Sequence, residues 1–468
     1  MIRRPKMPSR TPLLLGVLLG VLMLGSSCVS LSQPRPPAYA DAVAVASPSS
    51  AAEATLAADI ELADEAGLDD FLRYAALHNP GLRASWQLWM AAVERVVQAE
   101  ALPDPQISYG YYFASVETFT GPQQQRLRGA QTFPWLTKLI LRGELAAQAA
   151  EAARLRFEAR KLRLFEQVTQ AWAEYYYLAR AIAVTRENVD LLRDWEVLIR
   201  AKYRVATGSY HDLINAQVEL GKLDDRLRTL EDLRVPTIAR LNDVLGRESR
   251  MPIVAPVALP EFEVVFEDEE LLARLGASNP ELGALEAGVE EQGRRVDLAW
   301  KEYFPDVTLG VEWIETGRRA GQNVPDAGQD PVIGMVSMNL PIWWQKYSAG
   351  VREAEALQRA ARQRRVARER NLATDLQFAL YGFRDAERKT DLFGNALVPK
   401  AKEALAANYS AYESGGADFL DLLQAQRLFL EFGLSYERAR ADRLERYAEI
   451  EKLIGESVLQ PMPTEVLP

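Results

Sequence analysis

The sequence contains very few of the residues that build most catalytic and metal sites. Its 468 residues include one cysteine, Cys28, and two histidines, His78 and His211. An internal disulfide is therefore excluded, and two histidines are too few for most zinc sites. The chain also lacks an H-E-x-x-H pattern, a G-x-S-x-G motif and a phosphate-binding loop. We predict a protein that is not an enzyme, with no cofactor and no resident metal.

Long apolar runs are also missing beyond the first 28 residues. The apolar segment 12–24 follows four basic residues within 1–10, which is typical of a signal peptide, and it is too short for a permanent membrane helix. Small residues precede Cys28, which indicates a lipoprotein signal over 1–27 with palmitate-type lipid added at Cys28. The alternative is ordinary cleavage beside an incidental cysteine. If the mature chain spans a membrane, strands must do so.

The mature chain has no excess of positive charge. Removing residues 1–27 takes away four of the 55 basic residues and none of the 65 acidic ones, so the formal net charge falls from −10 to −14. An acidic exported protein is a poor candidate for binding nucleic acid or an anionic membrane surface.

One pattern of sequence segments occurs twice along the chain. Asn79-Pro80-Gly81-Leu82 recurs as Asn279-Pro280-Glu281-Leu282, and in each copy a helical segment, a proline and two short strands follow in the same order. A very long helical segment, a glycine-containing turn and a returning helix complete each copy. The matching order predicts an internal duplication.

The predicted strands have one apolar and one polar face. In the third strand, Val307, Leu309, Val311 and Trp313 alternate with small or polar residues, and aromatic residues are frequent at the strand ends. This pattern suits a soluble core or a membrane barrel. Four strands cannot close a barrel, whereas three chains would supply 12 strands and a lumen. We therefore expect a mainly α protein with a membrane β-barrel, in which a trimer forms a 12-stranded β-barrel.

The segment boundaries follow from these patterns. The predicted order is signal peptide 1–27, lipidated flexible tether 28–65, first repeat 66–250, proline-rich connector 251–267, second repeat 268–457 and C-terminal tail 458–468. Strands are expected at about 106–114, 126–133, 306–314 and 332–340, with loops at about 115–125 and 315–331 between paired strands. Long helices are expected at 138–206, 209–247, 347–414 and 418–455, with a kink at Pro399. An antiparallel coiled-coil spacer would explain the helices alone, but not the strand pairs.

Both long helices end at a turn that carries glycine. Gly208 lies in the first turn, and Gly415 and Gly416 lie in the second. Glycine at a helix C-terminus is ordinary helix-hairpin chemistry. The matched aspartates Asp212 and Asp421, which follow the two turns at equal spacing, are not explained by that chemistry.

Residues 66–457 resemble the TolC family of trimeric outer-membrane efflux ducts. The match rests on the paired Asn-Pro-x-Leu segments, the prolines 105, 134, 305 and 341 that border the strands, and the second turn from Tyr412 to Gln426. Lys138 after Phe133-Pro134-Trp135 is similar to the proline-glycine-lysine corner of the heavy-metal branch (CusC- and CzcC-like), with Thr137 at the glycine position.

The resemblance implies a passive conduit in the bacterial outer membrane, with a long α-helical barrel below the β-barrel that reaches into the periplasm. Its partners would be two further copies of the chain, a periplasmic adaptor (membrane fusion protein), an inner-membrane pump of the RND class and outer-membrane lipid. Asp421 would form an acidic constriction at the periplasmic tip, and Tyr412 and Asp212 would form the latch that closes it. Gln424 and Ala417 depart from the family's second acidic ring and latching arginine. The alternative is a periplasmic coiled-coil adaptor or structural lipoprotein, although the chain lacks the β-rich domains of an adaptor.

Overall fold

The computed structural model describes residues 62, 66–262, 267–318 and 326–456. Within them the helices are α1 (Leu68–His78), α2 (Pro80–Glu100), α3 (Leu136–Arg204), α4 (Tyr210–Asp232), α5 (Arg234–Leu245), α6 (Asp268–Ser278), α7 (Pro280–Lys301), α8 (Trp344–Asp391), α9 (Val398–Ser414) and α10 (Phe419–Ile454). The strands are β1 (Gln106–Thr118), β2 (Gly121–Phe133), β3 (Val307–Thr316) and β4 (Val332–Met338). Two helices, two strands and a long helix that turns back occur in the same order in each half. The predicted internal duplication is confirmed, as is the mainly helical fold with four strands.

The four strands form one antiparallel sheet in the order β1-β2-β3-β4. The contact between β2 and β3 joins the two repeats, with Leu127 opposite Trp313 and Thr132 opposite Thr308. Within the described residues, β1 and β4 are therefore the outer strands of the sheet, and each leaves one edge unpaired.

The register confirms that the sheet has two chemically different faces. Tyr109, Leu127 and Trp313 lie opposite one another and share a face with Val332 and Val336 of β4. The other face carries the polar pairs: Arg126 lies 3.9 Å from Glu312, and the Thr132 and Thr308 hydroxyls are 2.9 Å apart. Ile314, Ile333 and Met335 also lie on this second face.

The first strand pair is longer than predicted. The loop expected at 115–125 is a two-residue turn, because Thr118 already lies opposite Gly121. The pairing is interrupted by a bulge between Tyr111 and Val116 and is regular again from Tyr111 to Gln106. Gly121 has φ 141°, a backbone conformation that favours glycine, and the Thr118 hydroxyl donates to the Gly121 carbonyl at 2.6 Å. β4 is shorter than predicted and ends at Met338, three residues before Pro341, which has no N–H to donate.

The helix expected at 209–247 is two helices that meet at Leu233. Pro236 in the first turn of α5 explains the break, since proline has no N–H for the carbonyl four residues earlier.

Proline also alters the second long helix, expected at 347–414. Instead of a simple kink at Pro399, the helix widens into a π-helical segment, Leu392–Leu397, where the Val398 N–H donates to the carbonyl of Phe393. The wider turn accommodates the missing donor and the bulk of the ring.

The repeated Asn-Pro segments fasten the ends of the helices to each other. The Asn79 side chain accepts from the Leu82 N–H at 2.9 Å and donates to the Val244 carbonyl at the end of α5. Asn279 repeats this arrangement, accepting from Leu282 at 3.0 Å and donating to the Leu453 carbonyl at 2.7 Å. The segments that revealed the duplication therefore have a structural role as helix caps.

The helices form a layer whose order matches that of the strands. On the side nearer the sheet, α3 contacts α2 and α7, and α7 contacts α8, which gives the order α2-α3-α7-α8. Toward the helix hairpin turns, the contacts give the order α4-α3-α10-α9. Apolar side chains of α3, α4, α9 and α10 form a core beside those turns. Among the described residues, none of the helices combines the length and apolarity that a membrane span requires.

Candidate functional site

The two helix hairpin turns have the same backbone hydrogen bonds. In the first hairpin turn (205–209), the Thr207 N–H donates to the Lys202 carbonyl at 3.0 Å. In the second (415–418), the Gly416 N–H donates to the Ala411 carbonyl at 2.7 Å. Each is the six-to-one bond of a Schellman cap, in which the preceding residue has a left-handed conformation.

The residue in that conformation differs between the two turns. In the second turn it is Gly415, with φ 81°, whereas in the first it is Ala206, with φ 60°, and not the predicted Gly208. Gly208 is needed for another reason: a Cβ atom there would lie 3.0 Å from the Lys202 Cβ and 3.1 Å from the Tyr203 nitrogen.

The two matched aspartates lie in the first turns of α4 and α10. Negative charge is favourable at a helix N-terminus, which partly explains why both repeats have an aspartate at this position. Ser209 caps α4 by accepting from the His211 N–H at 3.1 Å. His211 and His78 both lie at helix ends, and the His78 ring stacks on Tyr74.

Tyr412 and Asp212 lie close to each other between the two hairpins. Tyr412 is only 6% exposed and packs against Phe419, with ring centroids 5.7 Å apart. Burial, reinforced by the nearby Asp212 carboxylate, raises the pKa of Tyr412 to about 12. The Tyr412 hydroxyl forms no hydrogen bond with any described residue. The structure thus shows the proximity that a latch requires, but not the hydrogen bond expected between these two residues.

Lys202 is the residue at this position that the sequence analysis missed. Its Nζ donates to the carbonyls of Tyr412 at 2.7 Å and Glu413 at 3.1 Å, and lies 4.4 Å from the centre of the Tyr412 ring. One lysine of the first hairpin therefore holds the helix end of the second. A basic residue in the last turn of α3 was the only signal in the sequence, and such residues usually interact with their own helix end.

Asp421 lies on a different face of α10. Its neighbours Leu422 and Leu423 are buried against the other hairpin, whereas the Asp421 side chain is exposed. Together with Lys400, Gln424 and Phe432, it lines an open groove between α9 and α10. The structure therefore does not place Asp421 with the Tyr412–Asp212 pair.

Polar side chains also join the hairpins along their length. The buried Gln426 donates from Nε2 to Asn188 Oδ1 at 3.0 Å, and the guanidinium of Arg427 on α10 binds the buried Glu219 carboxylate on α4. Hydrogen bonding to Arg427 is the largest cause of the lowered pKa of Glu219. Gln426 of the predicted motif is thus a packing residue.

Lys138 occupies the corner where the first strand pair meets α3. It is 1% exposed, and its Nζ donates to the Phe304 carbonyl at 2.9 Å and to Asp306 Oδ1 at 3.0 Å. The same Asp306 oxygen accepts from the Trp135 N–H at 3.1 Å. Lys138 therefore joins the strand–helix corners of the two repeats, and the chemistry it supplies is structural.

Comparison with known proteins gives a match to one family. Residues 271–456 match the family described as "Outer membrane efflux protein". The second repeat of this chain is therefore similar to outer membrane efflux proteins. These proteins are channels and not enzymes, and the expectation that the chain is not an enzyme is confirmed. The matched residues cover the second repeat, from α6 onward, and the first repeat has the same order of elements.

Individual proteins extend the similarity to most of the chain. Nodulation protein T of Rhizobium leguminosarum bv. trifolii is 22% identical over 385 residues, 78% of this chain and 80% of that protein. The solved structure of the outer membrane protein VceC from Vibrio cholerae is 16% identical, covers 84% of this chain and 97% of that one, and has a TM-score of 0.69. CusC is 13% identical, covers 83% of this chain and 92% of that one, with a TM-score of 0.71. The predicted TolC-type fold is confirmed, and the alternative of an adaptor fold is not supported.

The predicted lipidation site, Cys28, lies outside the described residues. Within the described ranges, no three His, Cys, Asp or Glu side chains lie close enough together to hold a metal ion.

Proposed function

We propose that this protein is one protomer of a trimeric efflux duct in the bacterial outer membrane. An inner-membrane pump of the RND class would deliver substrates to it through a periplasmic adaptor. One observation supports this proposal most strongly: the order of the strands across the sheet matches the order of the helices across the helix layer. The sheet leaves β1 and β4 unpaired at its edges, and the helix layer has α2 and α8 in the corresponding outer positions.

Unpaired edges favour assembly with further copies of the chain. An open strand edge in lipid would leave backbone N–H and C=O groups without partners, at a cost of several kcal/mol for each group. Joining β4 of one chain to β1 of the next removes every such edge once three chains have closed a 12-stranded barrel. The outer helix α8 also exposes large aromatic side chains, Phe378 at 71% and Tyr381 at 70%. Contact with a neighbouring copy would cover them.

The two faces of the sheet support its placement in the membrane. The face with Tyr109, Leu309 and Val336 would contact lipid, and the face with Arg126 and Glu312 would line a wet lumen. Exposed aromatics at the strand–helix corner, including Trp343 and Trp344, suit the boundary between lipid and water. Cys28 would add a lipid anchor at the same membrane.

We assign the helix hairpin turns to the periplasmic tip that meets the adaptor. In a trimer, three Asp421 carboxylates around the axis would favour the passage of cations over anions. Tyr412 and Asp212 would form the latch, with Gly208, Gly415 and Gly416 shaping the turns. Metal cations are the substrate class favoured by the resemblance of the Lys138 corner.

The architecture is tested by native mass spectrometry of detergent-extracted protein, which should give three protomers. Single cysteines at Leu309 and Val336, compared with Thr308 and Ser337 in a Cys28→Ala background, should alternate between labelling by lipid-soluble and water-soluble thiol reagents. Gly310 is a poor site for this scan, because a Cβ there would lie 3.2 Å from the Gly129 carbonyl oxygen. A stable monomer or uniform labelling would rule out the trimeric duct.

The constriction is tested separately in planar bilayers. Asp421→Ala should lower the preference for cations, while Asp421→Glu should retain it. Equal selectivity for cations over anions in the wild type, Asp421→Ala and Asp421→Glu would show that the narrowest point lies elsewhere.

A further inference from the structure

The contact between the two hairpins at their turns is one-sided. Lys202 on α3 reaches the end of α9, but the residue at the equivalent position of the second repeat is Ala411, which cannot make the reverse contact. Ala417 occupies the position at which the TolC resemblance implies a latching arginine. At the turns themselves, the cation that joins the hairpins therefore comes from the first repeat, whereas Arg427 joins them farther along α10.

The atoms that Lys202 binds explain why one side chain is effective. The last carbonyls of a helix have no N–H partner within the helix and carry the negative end of its dipole. Lys202 binds two of these carbonyls at the end of α9, and the Tyr412 ring provides a third favourable surface for the ammonium group. Because the contact uses main-chain oxygens, the amino-acid side chains of the second hairpin do not reveal it.

We propose that Lys202 is the positioning residue that holds the second hairpin turn against the first. It does so by capping the C-terminal end of α9 with its ammonium group. This proposal rests on the proposed function in one respect: it treats the two hairpin turns as the tip of the duct. It differs from the predicted latch, because it needs neither the Tyr412 hydroxyl nor the Asp212 carboxylate.

Three variants of the full-length chain test this role. Lys202→Met keeps the aliphatic stem and removes the charge, Lys202→Arg keeps a cation, and Arg204→Met removes an exposed cation from the same last turn of α3. Hydrogen–deuterium exchange followed by mass spectrometry reports the opening of individual helix ends. A charge-assisted hydrogen bond contributes enough that its loss corresponds to about a tenfold or larger change in a local opening equilibrium.

We expect amides of residues 412–421 to exchange about tenfold faster in Lys202→Met, and at the wild-type rate in Lys202→Arg and Arg204→Met. Unchanged exchange in Lys202→Met, or equal acceleration in Arg204→Met, would overturn the proposal. Bilayer conductance of the same proteins separates this proposal from the proposed function. Faster exchange with higher conductance supports both, whereas faster exchange with unchanged conductance supports the role of Lys202 and overturns the assignment of these turns to the constriction.

Discussion

The hydroxyl of Tyr176 on α3 donates a 2.9 Å hydrogen bond to the carboxylate of Glu437 on α10, which joins the two repeats inside the helix layer. Glu437 is buried and also binds the guanidinium groups of Arg180 at 2.9 Å and Arg440 at 3.3 Å. One carboxylate thus satisfies three groups, and its removal would leave two cations without their anion.

We expect Glu437→Ala to reduce stability by about 1–3 kcal/mol, because the buried Tyr176 hydroxyl loses its acceptor and the partly exposed Arg180 and Arg440 lose their shared anion. Circular dichroism of the detergent-solubilised protein would measure the fall in Tm. The control is Glu231→Ala, which breaks an exposed pair with Arg186 and should cost about 1 kcal/mol or less. Equal effects of the two substitutions would contradict the central role of Glu437.

Alkaline pH should destabilise the helix layer through two tyrosines. Burial is the main cause that raises the pKa of Tyr176 to about 12 and that of Tyr412 to about 12, from an ordinary value of 10.0. Both groups favour the protonated form in the folded state, so their contribution is complete below pH 10 and is lost as pH rises through about 12. Tyr176→Phe and Tyr412→Phe should flatten the fall of Tm in this window, measured by calorimetry. The exposed Tyr210→Phe should not.

The helix caps formed by Asn79 and Asn279 should contribute to stability in both repeats. Each alanine substitution should cost about 0.5–2 kcal/mol for the lost cap, and more because the part-buried carbonyl of Val244 or the buried carbonyl of Leu453 loses its donor. Thermal melts of Asn79→Ala, Asn279→Ala and the exposed cap variant Ser209→Ala would test this. A larger loss in Ser209→Ala than in either asparagine variant would contradict the role of the Val244 and Leu453 carbonyls.

Two glycines with similar backbone angles should respond differently to alanine. Gly455 has φ 88°, and a Cβ there would collide with the Ser278 carbonyl and lie 2.9 Å from the Pro280 ring, whereas Gly415 has φ 81° and no atom within 4 Å. Gly415→Ala should therefore cost only the left-handed conformation, about 1–2 kcal/mol. Gly455→Ala should cost clearly more, as measured by Tm and by the yield of folded protein. Similar losses for both variants would show that the close approach to Pro280 is relaxed at little cost.

Much of the fold could be predicted because repeated patterns carry it. Alternation along the third strand predicted the two faces of the sheet, and the register places Leu309 and Val311 on the apolar one. The errors occurred where main-chain geometry decides. The turn at Gly121, the break at Leu233 and the π-helical segment before Pro399 depend on which N–H and C=O groups find partners, and side-chain patterns record this only weakly.

The sequence by itself determined the duplication, the helices and strands in their order, and the residue types available at the hairpin turns. Local propensity and periodicity act over short distances along the chain, so they can be read without knowledge of contacts. Only the tertiary structure decided that Lys202 binds the end of α9, that Lys138 joins the two strand–helix corners, and that Asp421 faces a groove away from Tyr412. These contacts join residues far apart in the chain, often through main-chain oxygens that every residue has. Their identity therefore depends on how the two repeats pack.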